Sequence, residues 1–214
     1  MNNIEMDFWE RCWQDEDQDD LMKFLSKYEG FHDDVIDIFK SYKITKICDA
    51  ACGFGAYSLA FASNGFEISG FDISSTAINI TQKGLRSYGF NSENYKVASI
   101  LDTGYPDEVF DGVIAHAVID HLTVADAQNA IKELLRITVI GGLVYVSFDA
   151  AEPGDFTCSH EMIEPGTMLY TDETRNGLIF HPYGWDEIFD LIGSRDIIYQ
   201  NINNKNEKVI IIKK

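Results

Sequence analysis

The chain has 214 residues, the length of one ordinary domain. Hydrophobic residues make up 45% and charged residues 24%, which is typical of a globular protein and excludes a disordered, collagen-like or coiled-coil chain. The 35 acidic and 17 basic residues give a formal net charge of -18. Such a surface repels phosphate backbones, so we expect a neutral or cationic partner and no nucleic acid.

The four cysteines are too few and too widely spread for a disulfide-stapled secreted domain, so they are expected to be reduced thiols. Cys48 and Cys52 have the spacing of two zinc ligands, but no second cysteine pair follows, and no metal site is expected. The N-terminus is acidic where a signal peptide is basic, and no apolar run is long enough to span a bilayer. The sequence therefore predicts a soluble, cytoplasmic protein without membrane association.

The chain begins with a region, residues 1–42, whose apolar spacing predicts helices. Phe8, Trp9 and Trp13 form an aromatic stripe that we interpret as core packing, with a flap over a ligand as the alternative. Apolar residues at helical spacing recur at 21–28 and 35–39, the latter after two aspartates that favour a helix start. These helices are expected to pack on a larger core.

From residue 44 short apolar runs alternate with amphipathic segments. This alternation predicts right-handed crossovers and a parallel sheet that is covered on both faces, with a ligand crevice at the ends of its strands. The predicted strands are 44–50, 66–72, 95–98, 110–116 and 143–148, and the predicted helices are 56–63, 75–87 and 124–137.

The last third of the chain does not follow this alternation of strands and helices. Residues 150–185 are rich in proline and glycine and predict a long connection or lid that contributes to substrate binding. A helix at 185–192 and strands at 196–200 and 208–213 follow, and the short turn between the two strands favours an antiparallel hairpin. We therefore expect a single domain, 1–214, with a core at 43–149 and a C-terminal helix and hairpin at 186–214.

The most specific motif is DAACGFG at 49–55, at the end of the first predicted strand. Its glycines let a ligand approach the backbone, and the following helix offers free amide groups. Asp72 ends the second strand, where an acid can accept both hydroxyls of a ribose. A dinucleotide site would have glycine at Ser58, and Asp49 would repel a pyrophosphate. S-adenosylmethionine (SAM), with its ammonium, sulfonium and ribose, suits these residues better.

Residues 44–149 resemble the class I SAM-dependent methyltransferases. ITKICDAACGFG resembles the first motif of that family and GFDIS at 70–74 its ribose-binding motif, while 110–122 and 136–148 resemble its fourth and fifth strand segments. The resemblance implies a Rossmann-like α/β fold, with a seven-stranded, mostly parallel sheet, an antiparallel last strand and helices on both faces. It also implies SAM as the cofactor.

The resemblance further implies roles for individual residues. The first-motif residues would shape the loop under the methionine part, Asp72 would hold the ribose, and Ile73 would pack on the adenine. His116 would offer its backbone carbonyl near the ammonium. Ala51 stands where the family has its first glycine, and Ser99 where an aspartate contacts the adenine. The implied cofactor-binding residues are Asp49, Ala51, Gly53, Gly55, Asp72, Ile73, Ser99, Ile100, His116, Val118 and His121.

The sequence predicts direct in-line methyl transfer to a small-molecule acceptor, without a covalent enzyme intermediate. The weak candidates for a base or a positioning group are His116, His160, Tyr170 and His181, most of which we interpret as packing or surface residues. We interpret His121 as a hydrogen-bonded residue at a helix start. The alternatives are a SAM-binding protein without catalysis and an NAD(P)-dependent oxidoreductase, which Ser58 and the terminal hairpin disfavour.

Overall fold

The computed structural model of the protein describes residues 3–14, 19, 23 and 33–214. Helix α1 spans Asn3–Gln14 and helix α2 spans Asp33–Ser41. Val35, Ile36 and Phe39 of α2 are buried, as the helical spacing predicts. The helix predicted at 21–28 lies outside the described residues, apart from position 23.

The main sheet has seven strands: β1 (Lys46–Ala50), β2 (Glu67–Asp72), β3 (Tyr95–Val97), β4 (Phe110–Ala115), β5 (Thr138–Phe148), β9 (Asp196–Ile202) and β10 (Lys208–Lys213). Their order across the sheet is β3-β2-β1-β4-β5-β10-β9. Strands β1 to β5 are parallel, and β10 pairs antiparallel with both β5 and β9. The predicted fold class, including the antiparallel last strand, is confirmed.

Strand β5 begins earlier than the sequence predicts. Gly141 and Gly142, which precede the predicted strand at 143–148, lie inside β5 at an irregularity in its pairing with β4. A Cβ on Gly142 would lie 2.5 Å from the carbonyl oxygen of Asp111, so the glycine permits a close approach of the two backbones.

Two apolar layers cover the sheet. Successive β1 side chains belong to opposite layers, since Ile47 packs on one face and Cys48 on the other. Helices α2, α3 (Ala56–Ser63) and α4 (Ser75–Ser87) contribute to the layer of Ile47, whereas α5 (Val124–Ile137) and α6 (Trp185–Ile192) contribute to the opposite one. Within the described residues, no helix combines the length and the apolar character that crossing a membrane requires.

The segment predicted as a lid contains a second, small antiparallel sheet. Its strands are β6 (His160–Glu164), β7 (Thr167–Tyr170) and β8 (Ile179–Phe180), in that order. The sequence analysis missed them because strands of five, four and two residues carry too little alternation to recognise. The small sheet is anchored to the core, since the amide of His181 donates to the carbonyl of Asp120 at 2.8 Å.

Candidate cofactor site

A cavity of about 280 Å³ lies at the carboxyl ends of β1, β2 and β4. This is the point where the strand order reverses, which is where open parallel sheets bind ligands. All of the residues implied to bind the cofactor line this cavity except Gly55 and Ser99. Trp9, Trp13, Cys52, Phe54, Ala56, Tyr57, Phe71, Ala98, Ala117, Leu122 and Asp149 complete its wall.

Asp49 is a carboxylate held in the floor of the cavity with only 2% of its surface exposed. The hydroxyl of Ser58 donates to its Oδ2 at 2.6 Å, and the hydroxyl of Tyr95 donates to the Ser58 oxygen at 2.8 Å. Burial raises the pKa of Asp49 to about 7, and the Ser58 hydrogen bond opposes this rise. Ser58, which in the sequence only argued against a dinucleotide site, therefore orients the carboxylate.

Asp72 connects the end of β2 to the glycine loop. Its Oδ1 accepts the amide of Ser74 and its Oδ2 accepts the amide of Gly53, both at 2.9 Å. Burial raises the pKa of Asp72 to about 6, while these hydrogen bonds favour the charged form. A carboxylate oxygen can accept more than one hydrogen bond, so Asp72 keeps acceptor capacity for ligand hydroxyls.

The two glycines of the loop serve different packing needs. A Cβ on Gly53 would lie 2.8 Å from the indole ring of Trp13, so this glycine lets α1 close over the cavity. A Cβ on Gly55 would lie 2.8 Å from the side chain of Thr81, so Gly55 lets the start of α3 approach α4. Gly55 thus supports the loop from behind without lining the cavity.

Ala51 has a φ of +57°, in the left-handed region that favours glycine. An L-residue with a Cβ pays roughly 1–2 kcal/mol in this conformation. The backbone geometry thus explains why a glycine is usual at this place in the resembling family, and alanine here is strained.

Two tryptophans of α1 line the cavity. The ring of Trp9 meets that of His121 edge-on at 5.0 Å between centroids, and Trp13 lies 5.5 Å from Phe54. Phe8 of the same stripe is 6% exposed and packs as core. Phe8 therefore fits the interpretation as core packing, whereas the positions of Trp9 and Trp13 are compatible with a flap over a ligand.

Ser99 faces its own backbone turn, where its Oγ accepts the amide of Leu101 at 3.1 Å. Its neighbours Ala98 and Ile100 line the cavity instead. The adenine contact implied for Ser99 consequently has no support in the cavity wall and stays a prediction.

The four weak catalytic candidates are dispersed. His116 lines the cavity, with Nδ1 2.6 Å from the hydroxyl of Ser147, and burial lowers its pKa to about 4, so the ring is neutral at pH 7. His181 is 2% exposed and packs between Thr167 and Glu187.

His160 and Tyr170 belong to the small sheet. Nδ1 of His160 lies 2.8 Å from the carbonyl oxygen of Cys158, and this residue does not line the cofactor cavity. Tyr170 lines a second cavity, beneath the guanidinium of Arg175 at 4.1 Å from the ring centroid.

The second cavity, of about 390 Å³, adjoins the first. The two share His121 and Asp149, which sequence analysis did not group together. Asp149 directly follows β5, so the rule that parallel strands end at the crevice could have identified it. The remaining lining residues, several of them charged, are Ala150, Glu152, Asp155, Tyr170, Arg175, Leu178, Phe180, Lys205 and Glu207.

Comparisons with known proteins agree with this geometry. Residues 48–146 match the methyltransferase domain family. A SAM-dependent methyltransferase structure from Methanosarcina mazei is 26% identical, with a TM-score of 0.68 over 83% of this chain and 96% of that one. Magnesium protoporphyrin IX methyltransferase from Synechocystis, solved with bound S-adenosylhomocysteine, is 17% identical, with a TM-score of 0.66 over 100% of this chain and 95% of that one.

A curated relative from Arabidopsis thaliana, a tRNA (carboxymethyluridine(34)-5-O)-methyltransferase, is 31% identical over 146 residues. The match covers 63% of this chain and 34% of the relative, so the chain spans about a third of the relative's length.

Residues 48–146 form a methyltransferase domain, the fold of the chain is that of the SAM-dependent methyltransferases, and the cofactor that these matches support is SAM. The cavity fits that cofactor, because two buried carboxylates suit a ligand that carries an ammonium, a sulfonium and ribose hydroxyls.

Proposed function

We propose that the protein transfers the methyl group of SAM to a small-molecule acceptor in the cytoplasm. The observation that carries this proposal is the pair of adjoining cavities, one lined by the two buried carboxylates and the other lined by polar groups of the 150–185 segment and the terminal hairpin. Because the two cavities share His121 and Asp149, we assign the second one to the acceptor.

In this proposal the residues of the chain bind the cofactor and orient it. We assign Asp49 to the ammonium side of the cofactor and Asp72 to the ribose. Trp9 and Trp13 line the cavity, and we assign them to the exclusion of water, which strengthens charge interactions inside a site. The cofactor itself supplies an electrophilic methyl group on a good leaving group, so the acceptor can displace it in line.

The charge of the second cavity bears on the acceptor. Asp149, Glu152, Asp155 and Glu207 outnumber Arg175 and Lys205 in its lining. Together with the net charge of -18, this excess favours a neutral or cationic acceptor. Of the four weak candidates for a base, Tyr170 is the one that lines the second cavity, so it is the first to test as a positioning residue.

A second candidate is methylation of RNA, favoured by the similarity to the Arabidopsis tRNA methyltransferase. The acidic surface disfavours it, because binding a polyanion to a protein of charge -18 is repulsive. The same charge argument underlies our proposal that nucleic acid is not the partner.

Formation of S-adenosylhomocysteine (SAH) from SAM tests these alternatives. Purified protein is incubated with fractionated small-molecule extracts and, in parallel, with total tRNA. We expect turnover with one small-molecule fraction, none with tRNA, and at least ~10-fold slower turnover by Asp72→Asn at SAM concentrations below saturation. Turnover with tRNA alone would establish the RNA candidate, and SAM binding without turnover in any pool would favour a non-catalytic SAM-binding protein.

A further inference from the structure

Two carboxylates and one imidazole form a cluster at the wall between the two cavities. Asp120, His121 and Asp149 each direct one ligand atom into this cluster, and these atoms lie within 4.8 Å of one another. Asp120 is fully buried, and the other two residues are half-buried. The cluster is therefore an interior feature, unlike a solvated acidic patch.

The imidazole of His121 has a defined tautomer in its neutral form. Nδ1 lies 2.9 Å from the carbonyl oxygen of Ile179, which can only accept, so Nδ1 carries the proton. The other ring nitrogen, Nε2, faces Oδ2 of Asp149 at 3.7 Å. This separation exceeds the ~2.7–3.2 Å of an N–H···O hydrogen bond.

Asp120 contributes an oxygen that lacks a partner. Its Oδ2 accepts the amide of Asp149 at 2.8 Å, whereas its Oδ1 is buried and has no hydrogen-bond partner in the part of the chain that the structure describes. A buried carboxylate oxygen without a partner is costly and calls for an explanation.

We propose that Asp120, His121 and Asp149 bind one divalent transition-metal ion, Mn²⁺ or Zn²⁺, between the two cavities. Ligand distances of ~2.0–2.2 Å place two atoms bound to one ion roughly 3 to 4.4 Å apart, a range that includes the 3.7 Å between Nε2 and Oδ2. Small rotations of the carboxylates bring the wider pairs into this range. A mixed set of one imidazole and two carboxylates suits these ions better than Ca²⁺, which takes six to eight oxygens.

The surroundings of His121 match those of a metal ligand. Ligating histidines characteristically donate their other N–H to a carbonyl or carboxylate, and here Nδ1 pairs with the carbonyl of Ile179 in β8. The ion would thus join the end of β5, the 3-10 turn at Ile119–His121 and, through Ile179, the small sheet. The proposal stands on this geometry alone and does not depend on the identity of the methyl acceptor.

The rival interpretation is an ion pair between a protonated His121 and the carboxylates, without a metal. It would place a proton on Nε2, but a contact of 3.7 Å to Asp149 is long for a charge-assisted hydrogen bond, which is typically ~2.7–2.9 Å. It also leaves Oδ1 of Asp120 without a partner. Binding measurements separate the two interpretations.

The experiment uses the full chain, stripped of metal with EDTA and dialysed, with calorimetric titration of Mn²⁺ and of Zn²⁺. We expect one site per chain. Loss of a histidine's hydrogen-bond partner alone typically costs ~10–100-fold in metal affinity, so Asp120→Asn, His121→Gln and Asp149→Asn should each weaken binding by at least ~10-fold. The matched control is Glu152→Gln, which removes one charge from the same second cavity but lies outside the cluster.

Two further readouts keep the test independent of misfolding. Zn²⁺ at a few times the wild-type Kd should raise the melting temperature of the wild type and of the control, because a ligand of the folded state stabilises it, and should raise that of the three cluster variants much less. The ¹⁵N resonance of His121 Nε2 should show a deprotonated, metal-bound nitrogen at pH 7. Absence of stoichiometric binding, equal affinity in all variants, or an imidazolium that persists in excess Zn²⁺ would overturn the proposal.

Discussion

The buried carboxylate Asp49 makes a specific prediction about the pH dependence of cofactor binding. Burial raises its pKa to about 7, and a cationic ligand binds the ionised form. The ionised fraction of a group with this pKa falls from ~0.9 at pH 8 to ~0.1 at pH 6, so affinity should weaken by about tenfold over this interval. Asp72, with a pKa of about 6, adds a further factor of ~2.

Calorimetric titration with SAH at pH 6, 7 and 8 measures this dependence. SAH keeps an α-amino group, and any titration of this group affects every variant equally, so the comparison is made with Asp49→Asn. The variant should bind more weakly at pH 8 and should retain only the factor of ~2 that Asp72 supplies. Binding by the wild type should also release protons at pH 7, measurable as a buffer-dependent enthalpy.

Ser58 provides an independent change of the same pKa. Its hydroxyl donates to Asp49 and favours the charged form, so Ser58→Ala should shift the binding profile to higher pH. Asp49 also affects the ligand-free protein. Because folding raises the pKa of this carboxyl group, its contribution to the free energy of unfolding is lost as the pH rises from ~4 through ~7. Identical pH slopes for wild type and Asp49→Asn would refute the reasoning.

Three further substitutions probe the cofactor loop. Asp72→Ala should weaken SAH binding by ~1.5–3 kcal/mol, the range for hydrogen bonds to a charged group, and unchanged calorimetric affinity would exclude it from the ribose site. Ala51→Gly should raise the free energy of unfolding in urea by about 0.5–1 kcal/mol, because relief of a positive φ exceeds the added chain entropy; a loss of stability would contradict the strain. Gly53→Ala should lower the free energy of unfolding by at least ~1–2 kcal/mol, because the new Cβ would lie 2.8 Å from Trp13. A urea midpoint equal to that of the wild type would show that α1 moves away from the new side chain without cost.

The main sheet could be predicted because its strands are apolar runs separated by amphipathic helices, a pattern that each segment carries locally. The positions of Asp49 and Asp72 followed from the same pattern, since both stand at the ends of parallel strands. The contact between Tyr95 and Ser58 could not be predicted, because it joins residues 37 positions apart through side-chain packing.

The small sheet and the second cavity could not be predicted from the sequence for a related reason. Strands β6 to β8 are defined by pairing with one another and not by their own periodicity. His121 was interpreted as a hydrogen-bonded residue at a helix start, and it does lie in a 3-10 turn with Nδ1 close to a backbone carbonyl. Its proximity to Asp149 depends on how the end of β5 meets that turn.

The partition formed by His121 and Asp149 belongs to two chambers at once. A molecule that displaces either side chain from one chamber necessarily reshapes the other, which makes the two occupants thermodynamically linked. Linkage is reciprocal: if the acceptor changes the affinity for the nucleoside cofactor by some factor, the cofactor changes the affinity for the acceptor by the same factor. We therefore expect the equilibrium affinity for each occupant to depend on the presence of the other through these two side chains.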